Sequence, residues 1–439
     1  MADDLGHGDL GCYNKDSKIP TPNMDRMAAE GVRLTDFYAG APVGSGTRAG
    51  LMTGCYPQRV CVTWQIFPSD YYGLNPAETT IAELLKTRGY ATACVGKWHL
   101  GHGKLLLPTR QGFDTYFGIP YSNNMSTILS SLDAPPAERN NPLIKYDVKG
   151  TPLVRMEKVI EHPVDQRTIT GRYTQEAIDF IRNHQGGPFF LYLAHTMPHV
   201  PVVASPVYAG KSAAGPYGDA VEEIDASTGA ILKTLADLSL AERTLVVFCS
   251  DNGPLVGSGK LGGSAKPFRG GKGTTLEGGM RVPCIARWPG RIPPGIECRQ
   301  ITATMDLLPT FARLAGAQLP ADRKIDGRDI WPLLSGAAGA AGPRAAYFYY
   351  RRYRLEAVRS GPWKLHFRGA RLNRDAKPAH LKYALYHLIE DPGEQRNVVT
   401  KYPSIAKQLA ALSDPIRAEL GDANLGIKGR EVRPAGFSQ

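Results

Sequence analysis

Three apolar runs constrain this chain more than anything else in it. "GYATACVGKWHLG" is continuously apolar from Tyr90 to Val95 and then delivers Lys97 and His99. "GPFFLYLAHTMPH" runs from Phe189 to Ala194 and then delivers His199. "RTLVVFCSDNG" runs from Thr244 to Cys249 and then delivers Asp251 and Asn252. Strands covered on both faces read as unbroken apolar runs, whereas a strand with one wet face alternates. In open α/β sheets, functional groups gather beyond the carboxyl ends of such strands. Three strands that each end in chemically capable side chains predict one sheet with one working edge.

Helical spacing fills the intervals. Thr79 to Gly89 carries apolar residues at helical period and a stop glycine. "YTQEAIDFIRNH" precedes the second run, and Asp219 to Leu238 precedes the third. This alternation predicts an α/β fold, a large mixed and mostly parallel sheet flanked by helices. The texture changes at "SGAAGAAGPRAA" (Ser335 to Ala346), which reads as a linker. Beyond it, "AAYFYY", "LEAVRSGPWKLHF" and "YALYHL" read as strands, with a turn at Ser360-Gly361-Pro362 and one helix over Ser404 to Leu420. The expected organisation is a main domain over 1–340 and a small C-terminal antiparallel sheet plus helix over 341–439.

Composition narrows the partners. No apolar run approaches the ~18 residues of a membrane span, and the chain opens on "MADDLGHGDLG" without a secretion leader. The net charge of +11 fits either a generic basic surface or a polyanionic partner reached by electrostatic steering. No zinc-finger or RNA-binding signature is present, which argues against nucleic acid. None of the seven cysteines forms a CxxC pair. Cys94 and Cys249 sit in apolar runs as buried thiols, while Cys55 and Cys61 are near enough to pair locally.

Asp3, Asp4, Asp251 and Asn252 are each read most simply as turn or cap residues. Together they supply hard oxygen ligands, suited to Ca²⁺ or Mg²⁺ and not to zinc. Lys97 and His99 are expected on one strand face by period-two spacing, with Gly96 and Gly101 allowing close ligand approach. His199 lies between two prolines. Lys272 sits in the glycine-rich "FRGGKGTTLEGG", whose spacing matches no nucleotide loop. Arg48 ends the small-residue stretch "APVGSGTR", which feeds an apolar run as an anion-binding loop feeds a helix N-terminus. Three cations, two imidazoles and an oxygen-rich cation site suit transfer of a sulfuryl or phosphoryl group. The loop around Gly44 contains no evident nucleophile.

Nine segments in order resemble the formylglycine-dependent sulfatases of the arylsulfatase A and N-acetylgalactosamine-6-sulfatase type. They are "ADDLGHGDLGCY", "GKWHLG", "GFDTYFGIPYSNNM", "MPHVP", "SDNGP", "GGKGTTLEGGMRVPCIARWPG", "DLLPTFARLAG", "IDGRDIWPLL" and "LYHLIEDPGEQRNV". The resemblance implies an alkaline-phosphatase-like fold, a secreted or periplasmic location, and hydrolysis of sulfate monoesters on an aryl group, sugar or glycan. It implies Ca²⁺ (Mg²⁺ less favoured) on Asp3, Asp4, residue 44, Asp251 and Asn252. It implies formylglycine at position 44, installed by a formylglycine-generating enzyme or equivalent maturase, with its hydrate attacking sulfur and Asp251 accepting the proton. Arg48 and Lys97 would hold the hydrate, Lys97, Lys272 and Ser122 would bind sulfate, His199 would protonate the leaving alcohol, and His99 would take the second hydroxyl proton.

Two departures stand out. Gly44 occupies the place of the family's cysteine, and a plain glycine has no oxygen with which to attack. Either a modified residue stands there, or a substitution removed it, or the chain is a sulfate-ester binder without turnover. A phosphomonoester or phosphonate hydrolase of the same superfamily is the rival enzyme reading. The family's strand ahead of the Asp pair also has only Met1 and Ala2 to represent it here. Arg351, Arg352, Tyr353 and Arg354 read either as a sugar subsite or as a solvated basic strand.

Overall fold

The computed structural model describes residues 1–125, 150–367 and 383–438. The apolar runs form the predicted strands Ala91–Gly96, Phe189–Ala194 and Val246–Cys249. Ala91–Gly96 lies parallel between Thr115–Gly118 and Phe189–Ala194, and antiparallel Leu153–Arg155 and Lys158–Glu161 extend this half to five strands. A second half has four strands, in the order Ile296–Cys298, Val32–Leu34, Cys284–Arg287 and Val246–Cys249. Side chains along a strand alternate between faces. Accordingly Cys94, Cys249 and Cys284 join one core layer, while Val95, Phe248 and Ile285 join the other. Helices Gly44–Thr53, Ile81–Lys86 and Leu307–Ala315 cover the first layer, and Ile169–Asn183 and Pro216–Asp237 cover the second.

Between the facing strands Phe189–Ala194 and Val246–Cys249, Met1 and Ala2 supply the backbone link among the described residues. Ala2 N–H donates to Cys249 O at 2.8 Å, Asp251 N–H donates to Ala2 O at 3.1 Å, and His195 N–H donates to Met1 O at 2.9 Å. The Met1 amine donates to Leu193 O at 2.7 Å. This rung runs parallel to Val246–Cys249 and presents Asp3 and Asp4 at the carboxyl edge. Behind it, a cleft of about 610 Å³ separates the two central strands, lined by Phe189, Phe190, Leu191, Val246, Val247 and Phe311 among others.

The C-terminal strands Tyr347–Arg351, Arg354–Ser360, Trp363–His366 and Ala384–His387 form one antiparallel sheet in chain order. The turn at Ser360-Gly361-Pro362 is present, with Gly361 at φ 54°. The single helix expected over Ser404 to Leu420 is two, Pro403–Leu412 and Asp414–Leu420. Pro415 is the cause: it lacks an N–H and disfavours helical backbone just before it, so it starts a new helix rather than continuing the old one. The seven cysteines are all thiols, so Cys55 and Cys61 do not pair. Cys55 Sγ is held by Thr53 O, Lys324 O and the Arg433 guanidinium, and Cys61 Sγ turns to Gln58 O. Among the described residues, no helix is long and apolar enough to cross a membrane.

Candidate active site

A cavity of about 490 Å³ opens at the carboxyl edge of the sheet. Its wall includes Gly44, Lys97, His99, Ser122, His199 and Lys272, drawn from five separate connections. Gly44 begins the helix Gly44–Thr53, every residue of which is buried. A Cβ built on Gly44 would point into the charged cluster, 2.6 Å from Asp251 Oδ2 and 3.5 Å from Arg48 Nε.

Below the cavity, three carboxylates interleave with three cations. Arg48 donates to Asp251 Oδ2 from Nη2 at 2.8 Å and from Nε at 3.1 Å, and to Asp3 Oδ2 at 3.2 Å. Lys97 Nζ pairs with Asp3 Oδ2 and donates to Ser122 Oγ at 3.2 Å. Lys272 Nζ donates to Asp4 Oδ2 at 2.7 Å. Asn252 Nδ2 donates to Asp4 Oδ1 at 2.7 Å, and Asp4 N–H donates to Asp251 Oδ1 at 3.2 Å. Asp3, Asp4, Asp251 and Asn252 therefore converge, although 247 residues separate Asp4 from Asp251 in sequence.

Lys97 and His99 reach this pocket by a different route from the expected strand face. The strand ends at Gly96, whose φ of 113° turns the chain, and His99 itself adopts φ 60°. A Cβ at Gly96 would lie 1.9 Å from Ala194 O, so the turn requires glycine.

The imidazoles have defined proton positions. His99 Nε2 lies 3.0 Å from Ile66 O, and a carbonyl only accepts, so the proton sits on Nε2. His99 Nδ1 is buried without a hydrogen-bond partner among the described residues, leaving a lone pair that can take a proton. His199 Nδ1 lies 2.6 Å from Val200 O and is protonated for the same reason. Its Nε2 faces Ser122 Oγ at 3.4 Å and Asp4 Oδ2 at 3.8 Å.

Burial sets the electrostatics. It pushes His99 well below its ordinary value, with Lys97 and Arg48 adding to the effect. Burial also lowers His199, partly offset by Asp4 and Asp3. Asp251 is pushed up to about 6 by burial and by the charge of Asp3. Asp3 is held far below the carboxylate range despite burial, by Lys97, His199 and Arg48. Lys272 is raised despite its burial, by Asp4 and Asp3.

The donor set suits a hard divalent ion. Asp3 Oδ1 and Asn252 Oδ1 are buried oxygens without a hydrogen-bond partner among the described residues. Leaving such atoms unpaired costs about 1–3 kcal/mol each, and an oxygen-seeking cation removes that cost. Asp3, Asp4 and His199 also lie close enough to share an ion. Sequence reasoning missed the outer wall, Gln65, Phe67, Ser69 and Asn124. The exposed aromatic in "WQIFPSD" was the one signal available for it.

Comparison with known proteins follows the same lines. The family model Sulfatase matches residues 1–317, and the model N-sulphoglucosamine sulphohydrolase, C-terminal, matches residues 271–419. Human arylsulfatase A is 40% identical over 421 residues, covering 91% of this chain and 82% of its own length. Human N-acetylgalactosamine-6-sulfatase is 39% identical over 480 residues, covering 97% of this chain and 88% of its own. Among solved structures, the PsFucS1 sulfatase from Pseudoalteromonas sp. superposes with a TM-score of 0.83 at 30% identity, covering 95% of this chain and 89% of that one. Ps i-CgsB, solved in complex with k-i-k-neocarrahexaose, superposes with a TM-score of 0.79 at 27% identity, covering 95% and 91%.

Proposed function

This chain belongs to the sulfatase family, hydrolases of sulfuric esters, and on that premise we propose that its pocket takes the sulfate ester of a sugar or glycan. One arrangement carries the reading: Lys97, Lys272, Ser122 and His199 line one cavity with Gly44, whose Cβ position faces Asp251 and Arg48 beneath it. Lys97 Nζ, Lys272 Nζ and Ser122 Oγ supply donors for a tetrahedral anion. Donors held in place by buried carboxylates need no reorganisation as charge develops on the sulfate oxygens. In its doubly protonated form His199 gives the Nε2 proton to the departing alcohol oxygen, while Nδ1 keeps its proton on Val200 O. His99 Nδ1 accepts a proton at the opposite stage. Asp3, Asp4, Asp251 and Asn252 would hold Ca²⁺, Mg²⁺ being the less favoured ion, which would draw charge from the sulfate.

Residue 44 decides turnover. Formylglycine there, installed by a maturase, would supply the hydroxyl that attacks sulfur. Arg48 would steady that hydroxyl and Asp251 would take its proton. With unmodified glycine the same pocket binds sulfate esters and releases nothing, and Gly44 is the specific observation that favours this second reading. We further propose a secreted or periplasmic location, and the segment from 341 onward as a subdomain bordering the pocket. The test is mass analysis of the residue 44 peptide, combined with release of sulfate and phosphate from matched aryl esters. Preferential phosphate release would overturn the sulfatase assignment.

A further inference from the structure

The hairpin between Tyr347–Arg351 and Arg354–Ser360 turns at Arg352 and Tyr353, since Arg351 pairs directly with Arg354. Arg352 holds φ 55°, a conformation that suits glycine or asparagine and strains an arginine. The strained tip is nonetheless fixed. Buried Gln58 donates to Arg352 O at 2.7 Å, and Ala423 N–H donates to Tyr353 O at 2.7 Å. Backbone strain that the surroundings maintain points toward use of the side chain it presents.

Both arginines converge on one indole. The guanidinium carbon of Arg351 lies 5.2 Å from the Trp64 ring centroid and that of Arg352 lies 4.7 Å from it. Arg351 Nε also donates to Gly273 O at 2.9 Å. Trp64 is followed by Gln65 and Gly273 is preceded by Lys272, and both of those neighbours line the active-site cavity. The two guanidinium groups therefore contact residues whose immediate chain neighbours line the cavity. Elsewhere in this sheet and beneath it, Arg281, Arg344, Arg359 and Arg417 each pair with a carboxylate. Among the described residues, neither Arg351 nor Arg352 forms an ion pair. Two like charges held together on an aromatic face, without an internal counter-ion, make a site for an external anion.

We propose that Arg351 and Arg352, seated on Trp64, form a second anion subsite that recognises a carboxylate or sulfate on the sugar next to the one bearing the scissile sulfate. The preferred substrate is then a polyanionic glycan rather than a singly sulfated sugar or an aryl ester. This rests on the sulfate-ester reading of the cavity. Planar guanidinium forks suit either oxyanion, so the ligands must separate the two.

The protein with glycine at 44 suits a binding test, because a chain without a nucleophile leaves its ligands intact. Calorimetry would compare 6-sulfated N-acetylgalactosamine linked to a uronic acid, its carboxyl-reduced form, and the carboxyl-reduced form bearing a 2-sulfate. The expected result is about tenfold tighter binding of a ligand with the second anion than of the reduced form, equivalent to ~1.4 kcal/mol. The uronic acid and the 2-sulfate arms show which oxyanion is favoured. In Arg351→Gln and Arg352→Gln the ratio falls toward one. Arg352→Gly, which relieves the positive φ, keeps the melting temperature while losing the ratio. A ratio near one in the unaltered protein, or one that survives both glutamine variants, overturns the subsite. If none of the three ligands binds, the sulfate-ester reading fails and the subsite falls with it. Loss of binding in Lys272→Ala, with the ratio intact in Arg352→Gln, would leave that reading standing and sink the subsite alone.

Discussion

Ser122 Oγ lies 3.4 Å from Nε2 of His199, while the carbonyl of Val200 holds the other ring nitrogen at 2.6 Å. The imidazole is thus oriented by its own backbone and aims one nitrogen at the pocket. A general acid matters most when the leaving oxygen is basic. In a catalytically competent form, His199→Ala is expected to lower kcat/KM about 10²–10⁴-fold on a sugar sulfate and far less on an activated aryl sulfate. Equal losses on both esters, read by sulfate release, would count against the proton-donor role.

Gly44 and Asp251 yield the second prediction. A Cβ at 44 meets the end of a carboxylate 2.6 Å away, so Asp251 must shift by a few tenths of an ångström against its Arg48 bonds to admit a side chain. Gly44→Cys produced together with a formylglycine-generating enzyme is expected to fold with that adjustment. It should turn over an aryl sulfate at least about a thousandfold faster than the unmodified glycine form. Intact-mass analysis establishes the modification, and a modified chain that stays inert would remove residue 44 from the mechanism.

Ion binding is checked without catalysis. Ca²⁺ at about 100 times its Kd should stabilise the protein by roughly 2.7 kcal/mol, seen as a higher melting temperature than in chelator. Asp4→Ala should abolish that increment. An unchanged melting temperature across a calcium titration of the unaltered chain would argue that Lys97, Lys272 and Arg48 alone neutralise the carboxylates.

Much of this site was legible because an apolar run that stops at a polar residue marks both a strand and its exit. That rule located Lys97, His199, Asp251 and Asn252. It failed on the path between Lys97 and His99, because the left-handed turn depends on Ala194 O from a neighbouring strand. It was silent on Trp64 with Arg351 and Arg352, a contact between segments 287 residues apart in sequence. It was equally silent on Glu277, which in sequence is one acid in a glycine-rich loop. In the structure Glu277 is wholly buried, accepts from Tyr38 and Tyr349, and pairs with Lys364 of the C-terminal sheet. Long-range charge pairing leaves no local pattern to read.

That buried network makes a stability prediction. Lys364 bridges Glu277 at 2.9 Å and Glu394 at 3.0 Å, all three buried. Removing one partner of such a set strands the others, at a cost of about 3–5 kcal/mol. Glu277→Gln should destabilise the protein on that scale in denaturant titration. Burial opposes ionisation of Glu277, but Lys364, Arg359 and Arg281 hold its pKa well below the usual 4.5. A depressed carboxylate gives stability that is complete above its unfolded value and lost as pH falls toward the folded one. The gap between unaltered and variant proteins should therefore be widest at neutral pH and shrink below about pH 4.5. A gap that widens in acid would contradict the assignment.

The cleft behind Met1 supports the last prediction. Phe189–Ala194 is paired on one side by Ala91–Gly96, and Val246–Cys249 on one side by Cys284–Arg287. Among the described residues, their facing edges are bridged by the rung at Met1 and Ala2, which is parallel to both. Phe189, Phe190, Leu191, Val246 and Val247 are consequently only half-buried in the middle of the sheet. The register of the rung means that about five residues joined ahead of Met1 would run past Phe189–Leu193 and Thr244–Phe248. They would pair both edges. Each well-buried Val or Ile contributes about 1.5–3 kcal/mol. An extension of β-branched residues should raise the melting temperature by several degrees, and an equally long Asp/Lys extension should not. Equal melting temperatures for the two extensions would show that the cleft does not accept a strand.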